Sequence, residues 1–153
     1  MQNEIKMRLM FLNNKQRKKL QEQLEEYGIK ELPRHLIQTG KEKIRAFSGE
    51  INGKDILNIQ KSAYIEGIGL HILTIKENTI RITLDGLHIL KPTKKIIELN
   101  EKQKNDWFKG KNIQLAAEKG FLVLKYKEDI IGMGKSTGNI ILNYLPKERR
   151  IKN

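Results

Sequence analysis

The sequence contains no cysteine and has few aromatic residues. None of the 153 residues is cysteine, and only 6% are aromatic. The absence of cysteine excludes a disulfide scaffold, a thiolate zinc site and every mechanism that uses a cysteine nucleophile. The scarcity of aromatic rings argues against a surface that stacks successive bases. We therefore expect an intracellular protein without thiol chemistry.

Long apolar runs are also absent. No run approaches the ~20 residues that a membrane span requires. The first residues, MQNEIKMRLMFLNNKQRKK, have too short an apolar stretch and too polar a flank for a signal peptide. We expect a soluble, unprocessed cytoplasmic protein with no membrane partner.

Acidic residues are scarce relative to basic ones. The chain has 30 Lys+Arg against 18 Asp+Glu, a formal net charge of +12. Residues 1–31 carry seven basic and five acidic groups, residues 32–99 eleven and seven, and residues 100–153 twelve and six. Positive charge is thus concentrated toward the C-terminal end, which favours a binding surface for phosphate. The alternative is a solvated basic tail.

Apolar spacing and turn residues predict an α+β protein. In the first part, the pattern predicts a helix over Asn14–Tyr27 that is ended by Gly28, and a strand at Lys43–Ser48. It also predicts a hairpin of Ile68–Lys76 and Thr79–Leu84 around Glu77-Asn78, and this hairpin is closed by a turn at Asp85-Gly86. Beyond Pro92 it predicts a strand at Lys95–Leu99, a capped helix over Asn100–Lys109 with Trp107 or Phe108 turned to the core, and strands at Phe121–Lys127, Ile130–Met133 and Ile140–Asn143. Since Pro92 interrupts pairing, we predict two domains, residues 1–92 and 93–153, the second a small barrel.

The sequence partly matches two nucleotide-binding motifs but completes neither. Gly134-Lys135-Ser136 matches the end of the P-loop pattern, but Asp129 stands where that pattern needs its first glycine. The dinucleotide fingerprint fails because Gly132 and Gly134 are followed by Thr137 instead of a third glycine. Nucleotide binding at this segment is therefore disfavoured.

The sequence offers no convincing catalytic or metal-ligating constellation. Asp85 superficially resembles the aspartate of pseudouridine synthases, but Asp-Gly at a strand end is most simply a turn. The carboxylates are scattered singly, so no acid/base pair is proposed. The histidines lack the spacing of metal ligands: His35, His71 and His88.

The order of elements and two motifs in the last third carry a family resemblance. The motifs are IGMGK at Ile131–Lys135 and NYLPKERR at Asn143–Arg150. In this order they resemble a PUA domain, closest to the PUA-like form of rRNA and tRNA cytosine methyltransferases and of archaeal stand-alone relatives. Upstream, LPRHLIQTGKEKIRAFSG at Leu32–Gly49 resembles the domain that precedes PUA in RNA-modification and ribosome-biogenesis factors. The resemblance implies an N-terminal α/β pre-PUA-like domain followed by a C-terminal PUA-type β pseudo-barrel.

PUA domains bind structured RNA, often a stem near a single-stranded end, with the barrel edge and a glycine-containing loop against the backbone. The resemblance therefore implies an RNA-binding surface in this segment. Its candidate residues are Gly132, Gly134, Lys135, Asn143, Tyr144, Lys147, Arg149 and Arg150. Glycines let the backbone approach a phosphate, and arginines offer forked donors. The alternatives are a plain turn for the glycines, a solvated terminus for the arginines and a barrel-core position for Tyr144, the last being the favoured interpretation.

A second basic cluster lies in the first domain. Around Gly40 it contains Arg34, Lys41, Lys43 and Arg45, which either extend the RNA surface or decorate a solvated turn. Because the sequence has neither an S-adenosylmethionine fingerprint nor the catalytic cysteine of the methyltransferases, the resemblance implies a non-catalytic module without a cofactor. We expect it to bind rRNA or tRNA, with an RNA-modification enzyme or ribosome-assembly factor as a further partner. The rival hypotheses are an RNA-modifying enzyme and an adaptor whose basic surface meets an acidic protein.

Overall fold

The computed structural model describes residues 9–47 and 69–151, and these form two five-stranded sheets. The first sheet is a simple antiparallel meander in the order β1-β2-β3-β4-β5. Its strands are β1 (Leu9–Phe11), β2 (His35–Thr39), β3 (Lys43–Phe47), β4 (Leu70–Lys76) and β5 (Thr79–Ile82). The predicted strand at Lys43 and the predicted hairpin are confirmed within these bounds, whereas Ser48 and Ile68 lie outside the described residues. The strand β2 was not predicted.

The first helix packs against this sheet, since its Leu20 and Leu24 lie in one apolar core with residues of β2, β3 and β4. Helix α1 (Asn14–Leu24) begins at a capping box in which Asn13 and Gln16 each accept from the other's backbone N–H. It tightens into a 3₁₀ turn, Glu25–Tyr27, and ends at Gly28 in the left-handed conformation. The predicted helix and its stop are therefore confirmed, and its apolar stripe is buried.

A second helix replaces the predicted turn at Asp85-Gly86. Helix α2 (Leu84–Leu90) begins at Thr83, whose hydroxyl accepts from the Gly86 N–H. The predicted turn is wrong because Asp85 and Gly86 form the first helical turn, and Leu84 belongs to the helix instead of the preceding strand. None of the helices within residues 9–47 and 69–151 is long and apolar enough to cross a membrane.

The second sheet is mixed and curled into a half-barrel. Its order is β6-β8-β9-β10-β7, with β6 parallel to β8 and the other pairs antiparallel. Its elements are β6 (Ile96–Glu98), α3 (Glu101–Phe108), β7 (Ile113–Gln114), β8 (Gly120–Tyr126), β9 (Asp129–Ser136), β10 (Ile140–Asn143) and a 3₁₀ turn (Lys147–Arg149). The predicted capping box of Asn100 and Gln103 is present, and Trp107 is fully buried. The α+β class is confirmed, and the curled second sheet and the first sheet with its helix have the layout that the resemblance implies.

The two halves of the chain share one of the two apolar cores. The first core joins α1, the first sheet and α2 with Val123 of β8 and Met133 of β9. The second core lies on the other side of the second sheet, around Trp107. Burial raises the pKa of Tyr27 to about 12, and its hydroxyl donates to the Phe121 carbonyl across the junction. The boundary at Pro92 stays a prediction.

Candidate nucleic-acid interface

The C-terminal basic segment is held against the rest of the molecule by Arg149. Its guanidinium Nη2 donates to both carboxylate oxygens of Asp85, at 3.2 and 3.0 Å. Both side chains are partly exposed, so the pair contributes little to stability. Its effect is positional, because it ties the last 3₁₀ turn to α2 and compensates part of the charge of Arg149.

Arg150 also makes intramolecular contacts. Its Nε donates to the Leu145 carbonyl at 2.9 Å, and the side chain lies so close to Gly110 that a Cβ there would be 2.8 Å from its Cδ and Nε. Lys147, in contrast, is exposed on the 3₁₀ turn. Of these three residues, Lys147 therefore presents its charge to solvent most fully.

The two glycines of the IGMGK motif lie inside β9 and not in a loop. Both are buried, and a Cβ at Gly132 would lie 3.0 to 3.3 Å from the Trp107 ring, while one at Gly134 would meet the Ile141 side chain. The prediction of an exposed glycine loop is therefore wrong. Glycine at these positions allows β9 to lie directly against the indole of Trp107, where a side chain would be too close. RNA contact by their backbone stays a prediction. Lys135 follows them and is exposed.

Asn143 holds the segments around it together. Its amide Nδ2 donates to the carbonyls of Trp107 and Lys111, both at 2.8 Å, and its Oδ1 accepts from the Leu145 N–H at 2.8 Å. With these bonds, the side chain joins the end of α3 to the end of β10. Tyr144 follows directly, between Asn143 and the Leu145 N–H that Asn143 binds.

Tyr144 lies at the surface in a cluster of rings and cations, and its predicted core position is wrong. Its side chain is 39% exposed. The Phe121 ring lies beside it, with centroids 5.8 Å apart and a 46° tilt, and the Arg81 guanidinium carbon lies 5.2 Å from the Tyr144 centroid. Lys135 Nζ lies 5.8 Å from the Phe121 centroid. We call Arg81, Phe121, Lys135 and Tyr144 the aromatic–cationic patch.

Arg81 and Phe121 were not singled out from the sequence. Arg81 belongs to β5 of the first sheet, 63 positions before Tyr144, so no local pattern links the two. The alternation of β8 was the available signal for Phe121, since its side chain shares a face with Lys135, its cross-strand partner. A cleft of about 70 Å³ adjoins the patch, and its walls include Arg81, Thr83, Tyr144 and Pro146.

The basic candidates of the first domain lie just before β2, on β3 and on the turn between these strands. Arg34, Lys41 and Lys43 are exposed. Arg45 instead points along its own sheet, where Nε donates to Thr39 Oγ1 at 3.3 Å and Nη1 donates to the Gly69 carbonyl at 3.4 Å. Since β3 and β5 are separated by β4, this cluster is two strands from Arg81. The structure therefore places it apart from the aromatic–cationic patch, and its contact with RNA stays a prediction.

The segment that approaches a P-loop does not have the geometry of one. Lys135 and Ser136 belong to β9, and Ser136 is buried, its hydroxyl donating to the Ala117 carbonyl and accepting from the Gly138 N–H. A P-loop needs these residues at the start of a helix that faces phosphate. This serine instead holds the end of the hairpin.

Comparison with known proteins identifies the class of the second half. Residues 94–151 match the family model described as the methyltransferase RsmF PUA domain. The region matched begins just before β6 and ends just after the last 3₁₀ turn, so it includes the whole second sheet. The resemblance to a PUA domain is thus confirmed for this part of the chain.

The similar curated proteins are named ribosomal RNA small subunit methyltransferase F. The protein from Vibrio cholerae is 35% identical over 54 residues, and the one from Aliivibrio fischeri is 40% identical over 52 residues. Each alignment covers about a third of this chain (34% and 33%) and 11% of the relative. The chain therefore spans only a small fraction of the length of the curated relatives that it matches.

Proposed function

We propose that this protein is a non-catalytic RNA-binding protein that docks on folded rRNA or tRNA through its PUA domain. One observation carries the proposal. The residues that match the PUA model lie in the most basic part of the chain, with twelve basic and six acidic groups in residues 100–153. A PUA fold that carries excess positive charge is suited to a phosphate backbone, because each cation that meets a phosphate releases a counterion.

The proposed role is in ribosome biogenesis or RNA modification in the cytoplasm. The names of the relatives support it, since they act on small-subunit ribosomal RNA. The relatives are enzymes, and only their PUA region is matched. In the methyltransferases that the sequence resembles, the chemistry requires a cysteine, and this chain has none. We therefore propose that a separate modification enzyme or assembly factor supplies any chemistry.

The test is a salt-dependent titration. Fluorescence anisotropy with labelled small-subunit rRNA fragments and tRNA, repeated from about 50 to 200 mM salt, should show affinity falling with a log–log slope of roughly −0.7 to −0.9 per phosphate contact. Four to six contacts give a slope of roughly −3 to −5. Absence of salt-dependent binding to either RNA would contradict the proposal.

Two charge variants sharpen this titration. Lys147→Gln removes an exposed charge in the PUA segment, and it should weaken binding and reduce the slope by about 1. Lys76→Gln is the matched control, because it also removes an exposed charge, at the end of β4 in the first sheet. Equal effects of the two substitutions would show that only the net charge matters. Stabilisation by S-adenosylmethionine in a melting experiment would instead favour the enzyme hypothesis.

A further inference from the structure

We infer that the aromatic–cationic patch binds one unpaired base of the RNA, with the phosphate next to it held by Lys135; this inference rests on the proposed function. The patch contains a short series of flat groups: the Phe121 ring lies beside the Tyr144 ring, and the Arg81 guanidinium lies over the Tyr144 ring. A nucleobase adds to such a series by stacking on the guanidinium plane, as bases do on arginine and aromatic side chains. The patch joins the two sheets at the surface, since Arg81 belongs to the first sheet and Phe121 and Lys135 belong to the second.

The patch is the accessible end of a sheet face that is otherwise covered. Val123 and Met133 lie on the same face of β8 and β9 as Phe121 and Lys135, but they are buried in the core shared with the first sheet. At Phe121, Lys135 and Tyr144 this face reaches solvent. A ligand there meets both halves of the chain, because Arg81 comes from β5.

A nucleobase fits this patch better than an acidic peptide does. A carboxylate needs only the charges of Arg81 and Lys135, whereas the exposed Tyr144 ring and the plane of the Arg81 guanidinium add nothing to its binding. A base uses the rings, and its phosphate uses the ammonium of Lys135. The base must be unpaired, because the faces of paired bases are covered by their neighbours in the helix. The cleft of about 70 Å³ is well below the 300–1,000 Å³ of ligand pockets, so the base stacks at the surface.

The experiment compares two RNA hairpins that differ by one nucleotide. One hairpin carries a single unpaired 2-aminopurine beside the stem, and the other has that position fully paired. The protein should bind the unpaired form about tenfold more tightly, since stacking a base is worth ~1–3 kcal/mol. Binding should also quench the 2-aminopurine fluorescence, because stacking quenches it.

Substitutions then separate stacking from charge. Tyr144→Ala should abolish both the tenfold preference and the quenching, and Tyr144→Phe should keep both because the ring remains. Arg81→Lys keeps the charge but loses the plane, and it should reduce the preference. Tyr126→Ala is the matched control, because Tyr126 also has lysine ammonium groups near its ring, at 4.6 and 5.4 Å, but packs against the second core. It should leave the preference unchanged.

The outcomes distinguish this inference from the proposed function. Salt-dependent binding of both hairpins with equal affinity and no quenching would overturn the inference and leave the proposed function standing. Binding of neither hairpin, nor of the rRNA and tRNA fragments, would overturn both. Competition by poly-glutamate that persists in Tyr144→Ala and disappears in Arg81→Gln would assign the patch to an acidic protein and overturn the inference. Because Tyr144 is partly exposed, we expect Tyr144→Ala and Tyr144→Phe to have equal melting temperatures. A loss of the binding preference in Tyr144→Ala is then caused by the change in the patch and not by unfolding.

Discussion

At the scale of single residues, close packing explains two of the glycines. Gly86 in α2 has the Ile72 carbonyl where a Cβ would stand, and the Ile82 side chain lies 2.9 Å from that position. Gly132 adopts a φ of 153° and lets β9 pass the Trp107 ring. Neither glycine forms the loop that its neighbours in the sequence suggest. Glycine here serves close approach between elements.

Gly86→Ala should therefore destabilise the protein strongly. The new methyl group would overlap a backbone carbonyl, which cannot rotate away, and we expect a loss of about 3 kcal/mol in the free energy of unfolding. Gly40→Ala is the control, because Gly40 has a φ of 66° but open space around it, so only the left-handed conformation costs about 1 kcal/mol. Urea denaturation measures both. An equal loss in the two variants would contradict the packing explanation.

His71 should make stability depend on pH. Its pKa is lowered, first by burial and then by the positive charge of Arg45, while Lys43 and Arg81 act in the same direction. The unfolded state then binds a proton more readily than the folded state, so stability is full above about pH 6.5 and falls as the pH drops through the lowered folded pKa. Chemical denaturation at pH 7.5 and 5.5 should show this loss, and His71→Gln should reduce it. An unchanged pH dependence in His71→Gln would contradict the assignment.

At the scale of elements, the β4–β5 hairpin contains a residue that its turn does not favour. Glu77 and Asn78 have φ values of 49° and 64°, as the tight hairpin turn requires. Asparagine tolerates this conformation, but glutamate does not. The turn thus stores strain at Glu77.

Glu77→Asn should stabilise the hairpin. Relief of the left-handed strain at this position should raise the free energy of unfolding by about 0.5–1 kcal/mol. Glu42→Asn provides the comparison, because Glu42 is an exposed acidic residue in the β2–β3 turn whose φ is not positive. If both variants gain equally, the gain does not come from relief of strain at Glu77, and the strain argument fails. Thermal melting of the two variants decides between these results.

The elements that the sequence predicts are those with local signals. The capping residues Asn100 and Gln103 are sufficient to predict α3, and Glu77-Asn78 between β-branched runs predicts the hairpin. The strand β2 has no such signal, and helix α2 has only the Thr83 cap, without a capping box. In α2, seven residues begin with Leu-Asp-Gly, which is typical of a turn, and the helix forms because Gly86 packs against Ile72 of β4. That contact depends on the folded sheet, so local propensity is not enough to predict it.

At the scale of the whole molecule, local sequence signals are likewise not enough to predict the candidate site. Composition predicts the charge and the motifs predict the PUA domain, but the patch combines Arg81 with Tyr144 through the contact between the sheets. The motif residues Asn143 and Arg150 make hydrogen bonds within the chain, and their predicted contact with RNA stays a prediction. Arg149 pairs with Asp85, a residue that the sequence suggested for a turn. Only packing between distant segments decides which polar side chains remain available to a ligand.

The shared core should make the two halves unfold together. Val123 and Met133 of the second sheet are buried in the first core, and the Ile82 N–H donates to Met133 Sδ at 3.4 Å. Trp107 is the single tryptophan and lies in the second core, so its fluorescence reports on that core alone. A change in the first core should therefore be detected at Trp107 if the cores are coupled.

Leu24→Ala provides this change, because Leu24 is fully buried in the first core. The cavity should cost about 2–5 kcal/mol and lower the midpoint of thermal unfolding. We expect the Trp107 fluorescence and the far-ultraviolet circular dichroism to shift by the same amount, in one transition. Leu124→Ala in the second core is the matched control and should also shift both signals together. If Leu24→Ala leaves the Trp107 transition at its original temperature while circular dichroism shows two steps, the halves fold independently, and Arg81 and Tyr144 are then not held in one rigid patch.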